Sequence, residues 1–154
     1  MAIIYPRYKK ITSLPAGHFL FSKAIGFIAP FFGKIKPKVI ELKPAYCEVE
    51  IKDRWGVRNH IGTVNAGALC TLAELVGGMA LDTVVPNNMR WIPRGMTVAY
   101  IKKASGTLNA VSTFDPNAFS EGDFVVPIVV KNRLGETVFT ADINFYISQN
   151  KAKR

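Results

Sequence analysis

Residues 66–81 read AGALCTLAELVGGMAL, and this run decides the fold class of the chain. Its side chains are apolar or small at nearly every position, so a helix formed here has no polar face. A helix that is apolar all round is buried on all sides in a globular protein. We therefore predict a buried helix from Ala66 to Val84, which Asn65 caps at its start and Pro86 ends.

Glu74 is the only ionisable carboxylate in this run. Burying an unpaired carboxylate costs several kcal/mol, so a buried Glu74 needs a partner, a bound proton or a function. Carboxylates perturbed in this way concentrate at active sites, which makes Glu74 the leading functional candidate. Two structural alternatives are an ion pair with a lysine or arginine, and exposure on a helix face that the pattern does not reveal.

Gly77 and Gly78 follow Glu74 by three and four residues, hence on the same side of the helix. Glycine costs about 1 kcal/mol inside a helix, so the pair predicts a close approach by another group. That group is a strand, a second copy of the helix or a ligand. Simple tight packing explains the pair equally well.

The segments around the helix alternate with a period of two, which is typical of half-buried strands. One strand precedes the helix and four follow it as a meander, in residues 45–52, 96–103, 107–114, 123–131 and 136–148. Pro127 predicts an edge position or a bulge in the strand that contains it. The fold class is therefore α+β, with one long helix and a five-stranded antiparallel sheet.

The chain is predicted to form one domain over residues 1–154, with a helical segment and connector in 1–44, a core in 45–148 and a basic tail in 149–154. Residues 16–33, AGHFLFSKAIGFIAPFFG, are strongly apolar and aromatic. We interpret them as a helix packed on the domain or a lid over an apolar site. They contain Lys23 and are too short for a membrane span. A membrane-surface helix is disfavoured because the polar face expected of one is nearly absent.

The net charge of +9 favours anionic partners, but the basic residues are scattered along the chain. A nucleic-acid-binding module is disfavoured because no recognisable binding motif occurs.

Cys47 and Cys70 form no Cys-x-x-Cys pair, and no zinc or other metal site is predicted. A serine hydrolase is disfavoured because no Gly-x-Ser-x-Gly motif occurs. The N-terminus lacks the features of a signal peptide, so we predict a cytoplasmic location.

The stretch NHIGTVNAGALCTLAELVGG, residues 59–78, resembles the hotdog-fold acyl-CoA thioesterases of the PaaI-like type. It looks closest to a branch of that superfamily known as a domain of unknown function. The resemblance extends over nearly the whole chain, including the aromatic N-terminal segment and MTVAYIKKASG, residues 96–106. It implies a hotdog fold, in which the sheet wraps the long helix, with an extra N-terminal helix.

In that family the site consists of an asparagine, a His-Gly-Gly at the helix start, and an acidic residue nine positions after the histidine. Asn59 and Glu74 match the asparagine and the acid, whereas Asn65-Ala66-Gly67 stands in place of His-Gly-Gly. His60 is out of register with the family histidine. The serine or threonine that some relatives place before the next strand is not evident in residues 90–94.

The resemblance implies thioester hydrolysis at a dimer interface. The N–H groups of Ala66 and Gly67 would polarise the thioester carbonyl, and Glu74 of the other subunit would act as general base or nucleophile. Asn59 or Asn65 would orient the water or the carbonyl.

The implied partner is an acyl-CoA or acyl carrier protein thioester, with Lys102 and Lys103 as candidates for binding coenzyme A and no further cofactor. The assembly would be a homodimer or a dimer of dimers, without nucleic acid or a membrane span. The alternative is a non-catalytic acyl- or lipid-binding protein on the same fold.

Overall fold

The computed structural model describes residues 4–150. Three helices open the chain: α1 (Ile4–Thr12), α2 (Gly17–Ile28) and α3 (Pro30–Gly33). The central helix is α4 (Ala66–Asp82), and short 3₁₀ turns lie at Trp55–Val57 and Pro116–Ala118. The strands are β1 (Lys38–Lys43), β2 (Tyr46–Ile51), β3 (Met89–Tyr100), β4 (Leu108–Thr113), β5 (Gly122–Lys131) and β6 (Thr137–Gln149). Residues 151–154 of the predicted basic tail lie outside the described residues.

The strands form one antiparallel sheet in the order β1-β2-β4-β5-β6-β3. The predicted four-stranded meander is therefore wrong, because β3 pairs with β6 at the far edge rather than with β4. The seventeen residues of α4 span about 25 Å, enough to carry the chain across the sheet between β2 and β3. This crossing places α4 against the inner face of the sheet.

The sixth strand, β1, lies within the segment that the sequence indicated to be a connector. Its lysines and a shift of register between Val39 and Glu41 hide the alternation in the sequence. Val39 and Leu42 are nevertheless buried, and the strand pairs with β2 along its length. The five-stranded prediction is corrected to six strands, with β1 at the edge opposite β3.

The two glycines of α4 lie against the sheet and against an indole from β3. A Cβ atom added at Gly77 would come within 3.1 Å of the Ile128 side chain, and one at Gly78 within 3.0 Å of the Trp91 ring. Both glycines are buried. Of the alternatives that the sequence left open, the close approach is therefore made by the sheet.

Pro127 does not mark an edge strand or a bulge, because β5 lies between β4 and β6. The β4–β5 pairing reaches Ser112 and Ile128 and stops there. Pro127 is the next residue, so the missing N–H falls where β4 leaves β5. The Ser112 hydroxyl donates a 2.8 Å hydrogen bond to the Pro127 carbonyl and ties the two strands at this point.

Helix α2 packs on the domain through one face. Phe21 and Ile25 on that face are buried in the core. The buried Ser22 hydroxyl accepts a 2.9 Å hydrogen bond from the N–H of Val39 in β1. The first of the two sequence interpretations, a helix packed on the domain, describes this face. Among residues 4–150, no helix is long and apolar enough to cross a membrane.

Candidate functional site

The start of α4 is fixed by the predicted N-cap. The side-chain oxygen of Asn65 accepts a 2.7 Å hydrogen bond from the Gly67 N–H, and the Asn65 N–H donates to the Val57 carbonyl at 2.8 Å. The N–H groups in the first turn of a helix have no partner within the helix. Gly67 is satisfied by the cap, whereas the N–H of Ala66 bonds to no described residue. Ala66 and Gly67 are both exposed, so this end of α4 is open to a ligand.

Asn59 shapes the loop that leads into α4. Its side-chain nitrogen donates to the Thr63 hydroxyl at 2.9 Å. Its side-chain oxygen accepts from the N–H groups of Ile61 and Thr63, each at 3.1 Å. Because both the oxygen and the nitrogen of the Asn59 amide bond within the loop, Asn59 positions the loop and does not present a free polar group at the helix start.

Glu74 is exposed, so the prediction that its charge is buried is wrong. The sheet and the N-terminal helices cover most of α4, but they leave one stripe open along its first half. Gly67, Cys70 and Glu74 lie on this stripe, at spacings of three and four residues. Among residues 4–150, no lysine or arginine pairs with Glu74 and no side chain bonds to it. The carboxylate is open to solvent and available.

The two ends of the candidate site lie far apart within one subunit. Glu74 follows Ala66 by eight residues, which at 1.5 Å per residue separates them by about 12 Å along α4. Reacting groups and the atoms they act on must lie about 3 Å apart. Ala66 and Glu74 of the same subunit therefore cannot serve one thioester carbonyl.

Tyr100 reaches the open stripe from the end of β3, and sequence reasoning did not identify it. Its hydroxyl lies 3.4 Å from the sulfur of Cys70, and its ring packs on Phe139 at 5.3 Å between centroids. The contact with Cys70, followed by burial, raises the pKa of the Tyr100 hydroxyl. The signal available in the sequence was the alternation of β3, which turns Met96, Val98 and Tyr100 to one face.

Lys102 and Lys103 lie in the loop after β3 rather than on a strand. The Lys102 ammonium is paired with Glu136 at 2.7 Å, and this pairing lowers the pKa of Glu136. Lys103 is exposed and has no carboxylate partner among residues 4–150. The next residue, Ala104, accepts a 2.8 Å hydrogen bond from the N–H of Val64, which places this loop beside the approach to α4. Of these two lysines, Lys103 is the one whose charge is unpaired among residues 4–150.

A cavity of about 400 Å³ opens beside the start of α4. Its polar and helix-start lining consists of Lys34, Arg58, Asn65, Gly67, Ala68 and Thr71, and Phe31, Ile35 and Val57 add apolar surface. Arg58 forms a 2.6 Å ion pair with Asp53, which lowers the pKa of that carboxyl group. Asp53 therefore offsets the Arg58 charge. Lys34, which forms no ion pair among residues 4–150, and the positive end of the helix dipole meet at this opening, an arrangement suited to an anionic group.

The buried carboxylate of α4 is Asp82, which the sequence analysis did not single out. Its Oδ1 accepts a 3.1 Å hydrogen bond from the Trp91 indole, and burial raises its pKa. Asp82 lies about 24 Å from Ala66 along the helix. Its contacts are those of a structural residue that anchors the indole packed on Gly78.

The chain matches one protein family and several solved structures. A family model described as "Domain of unknown function (DUF4442)" matches residues 17–147. A comparison with curated proteins gave no match. A crystal structure called genomics APC5556 is 42% identical, covers 97% of this chain and 98% of its own, and superposes with a TM-score of 0.84.

Two further structures show the same fold at lower identity. PA5026 from Pseudomonas aeruginosa, a protein of unknown function called a probable thioesterase, is 21% identical over 89% of this chain and 97% of its own, with a TM-score of 0.77. Thioesterase HI1161 from Haemophilus influenzae is 11% identical over 80% of this chain and 86% of its own, with a TM-score of 0.72. The α+β fold predicted from the sequence is therefore confirmed as the hotdog fold.

Proposed function

Since the chain belongs to the DUF4442 family and has the hotdog fold, we propose that it hydrolyses an acyl thioester of coenzyme A or an acyl carrier protein. Thioesterases of the same fold support the reaction class. The observation that carries the proposal is the open stripe on a helix that is otherwise buried. A carboxylate without a partner among residues 4–150 lies on that stripe, and the Ala66 N–H, which bonds to no described residue, lies at its start.

The site is formed by two subunits. The separation of about 12 Å between Ala66 and Glu74 excludes their acting together within one chain. A second subunit that brings its Glu74 to the first subunit's helix start solves this problem. It also covers an acid that one subunit leaves exposed.

Strand β3 is the natural contact between the subunits. It is twelve residues long, lies at the edge of the sheet, and carries the exposed side chains of Ile92 and Tyr100. A long edge strand with unpaired backbone groups pairs readily with another chain, and a two-fold axis would place two copies of β3 side by side. The proposal therefore includes a homodimer, and light scattering that shows a stable, folded monomer at micromolar concentration would contradict it.

In the proposed reaction, the Ala66 N–H polarises the thioester carbonyl, and the partner's Glu74 takes a proton from the attacking water. Collapse of the tetrahedral intermediate breaks the C–S bond, and the same carboxyl group returns the proton to the thiolate. Direct attack by Glu74 to give an anhydride, followed by hydrolysis, is the other route. The side-chain nitrogen of Asn65 bonds to no described residue and is the group that orients the water or carbonyl.

The anionic carrier fits the basic opening beside α4. Lys34 lies at this opening and Lys103 lies next to it, and both are matched to the phosphates of coenzyme A. The apolar lining near Phe31 and Ile35 suits the start of an acyl chain.

The test is a screen of thioester hydrolysis over acyl-CoA chain lengths and aryl-CoAs. Wild type should be active on at least one class, and Glu74→Gln should be slower by about 10²-fold. Glu121→Gln, which alters an exposed carboxylate at the start of β5, is the matched control and should keep full activity. A wild type that binds acyl-CoA tightly without hydrolysing it would replace this proposal with the non-catalytic acyl-binding protein.

A further inference from the structure

The outer face of the N-terminal helices is apolar and uncovered. Phe19, Leu20, Phe27, Ile28 and Phe31 point away from the core, and Phe27 and Phe31 are 87% and 71% exposed. We call these five residues the apolar tip. Large aromatic side chains are rarely exposed as a contiguous group in a soluble protein unless the surface binds something. The tip is therefore a candidate docking surface.

The backbone holds the tip in a fixed shape. Helices α2 and α3 touch through Gly26 and Gly33, where an added Cβ at Gly33 would come within 3.0 Å of the Gly26 carbonyl oxygen. The inner face of α2 is anchored in the core by Phe21 and Ile25. The apolar side chains thus project from a rigid turn and cannot fold back into the domain.

The charged residues of the N-terminal helical segment that carries the tip are all basic. Residues 1–40 contain Arg7, Lys9, Lys10, Lys23, Lys34, Lys36 and Lys38 but no aspartate or glutamate. All of these basic residues are exposed, and none forms an ion pair with a residue in 4–150. The Lys23 ammonium lies 5.3 Å from the centre of the Phe19 ring, so apolar and basic groups are interleaved.

We propose that the apolar tip docks on an anionic lipid surface. Protruding aromatic and aliphatic side chains enter the boundary between headgroups and acyl chains, and surrounding lysines bind anionic headgroups. A second copy of this chain fits poorly, because a two-fold contact through the tip would bring two wholly basic surfaces together. The proposal does not rest on the thioesterase reaction, although Phe31 also lines the cavity beside α4.

The sequence disfavoured a membrane-surface helix because α2 lacks a polar face, and the structure accounts for this lack. A free surface helix needs a polar face toward water, and α2 has almost none. In the folded protein the face opposite the tip is buried against β1 and the core, through Ser22 and Val39 among others. The domain itself takes the place of the missing polar face.

The proposal is tested by sedimentation of the purified protein with vesicles of phosphatidylcholine and with equimolar phosphatidylcholine and phosphatidylglycerol. Wild type should bind the anionic vesicles. The double variant Phe27→Ser/Phe31→Ser should lower the partition coefficient about tenfold or more, because both rings leave the lipid. The matched control is Leu134→Ser, which alters an equally exposed side chain in the β5–β6 turn and should bind as wild type.

The charge contribution is tested separately. Lys23→Gln/Lys34→Gln should weaken binding to anionic vesicles by roughly fivefold per lysine at low salt. Lys131→Gln/Arg133→Gln, at the end of β5 and in the turn after it, lies outside the N-terminal helices and should have little effect. Absence of binding to the anionic vesicles, or equal binding by wild type and the double phenylalanine variant, would overturn the proposal. So would light scattering in which the phenylalanine variant loses a subunit, because a second copy then covers the tip.

Discussion

The two-subunit site that we propose can be tested quantitatively by a complementation experiment, in which the variants Ala66→Pro and Glu74→Gln are combined in one dimer. Proline at the first helical position is well tolerated, and Asn65 already has the extended conformation required before proline, with φ −64° and ψ 142°. Ala66→Pro thus removes one N–H donor with little change in fold. Loss of one such donor should lower kcat by about 10²–10³-fold, and Glu74→Gln should lower it by about 10²-fold. Proline fits the first helical position, and Glu74 forms no ion pair among residues 4–150, so neither variant should shift Tm appreciably.

When the two variants are co-expressed with different tags, random pairing makes half of the dimers heterodimers. Each heterodimer contains one site with an intact helix start from one subunit and an intact Glu74 from the other. The mixture should therefore regain about one quarter of wild-type activity, far above either variant alone. If the mixture stays at the level of the better single variant, Glu74 does not act on the partner's helix start and the two-subunit site is wrong.

Three further comparisons test the charge beside the site and the packing of α4. Lys103→Ala should raise KM for acyl-CoA several-fold at low ionic strength, whereas Lys102→Ala, whose charge is already paired, should not; equal effects would contradict this assignment. Gly78→Ala should lower Tm more than Gly77→Ala, because it meets an anchored indole rather than a flexible isoleucine end, and the reverse order would contradict the packing. Burial raises the pKa of Asp82, so the native protein holds the Asp82 proton more tightly than the unfolded chain and loses stability as pH rises above about 3.8. Asp82→Asn should therefore remove this decrease from a plot of Tm against pH. An unchanged decrease would mean that another group causes it.

The central helix was predictable because its signals are local. The start at Ala66 and the Asn65 cap depend only on neighbouring residues, and both are confirmed. Alternation identified β2 and the four strands after the helix, but not β1. The position of β3 was not, because pairing with β6 rather than β4 is decided by the path of the chain across the sheet.

The burial of individual acids could not be read from the helix pattern. The run around Glu74 is apolar on every face, yet one face is left open by the sheet and the acid lies on it. Asp82 at the end of the same helix is buried, because the Trp91 indole from β3 reaches it. Both outcomes depend on which elements pack on each side of α4, and the dimer that we propose would also cover Glu74 with a second subunit.

Asn65 stands where the PaaI-like thioesterases that this sequence resembles have a histidine, and the structure indicates how this difference affects the helix start. An asparagine at the cap engages one N–H, that of Gly67, and leaves that of Ala66 without a partner among the described residues. The helix dipole still presents its positive end there, and Lys34 adds positive charge at the same opening. A neutral amide cap therefore retains the donors that polarise a carbonyl.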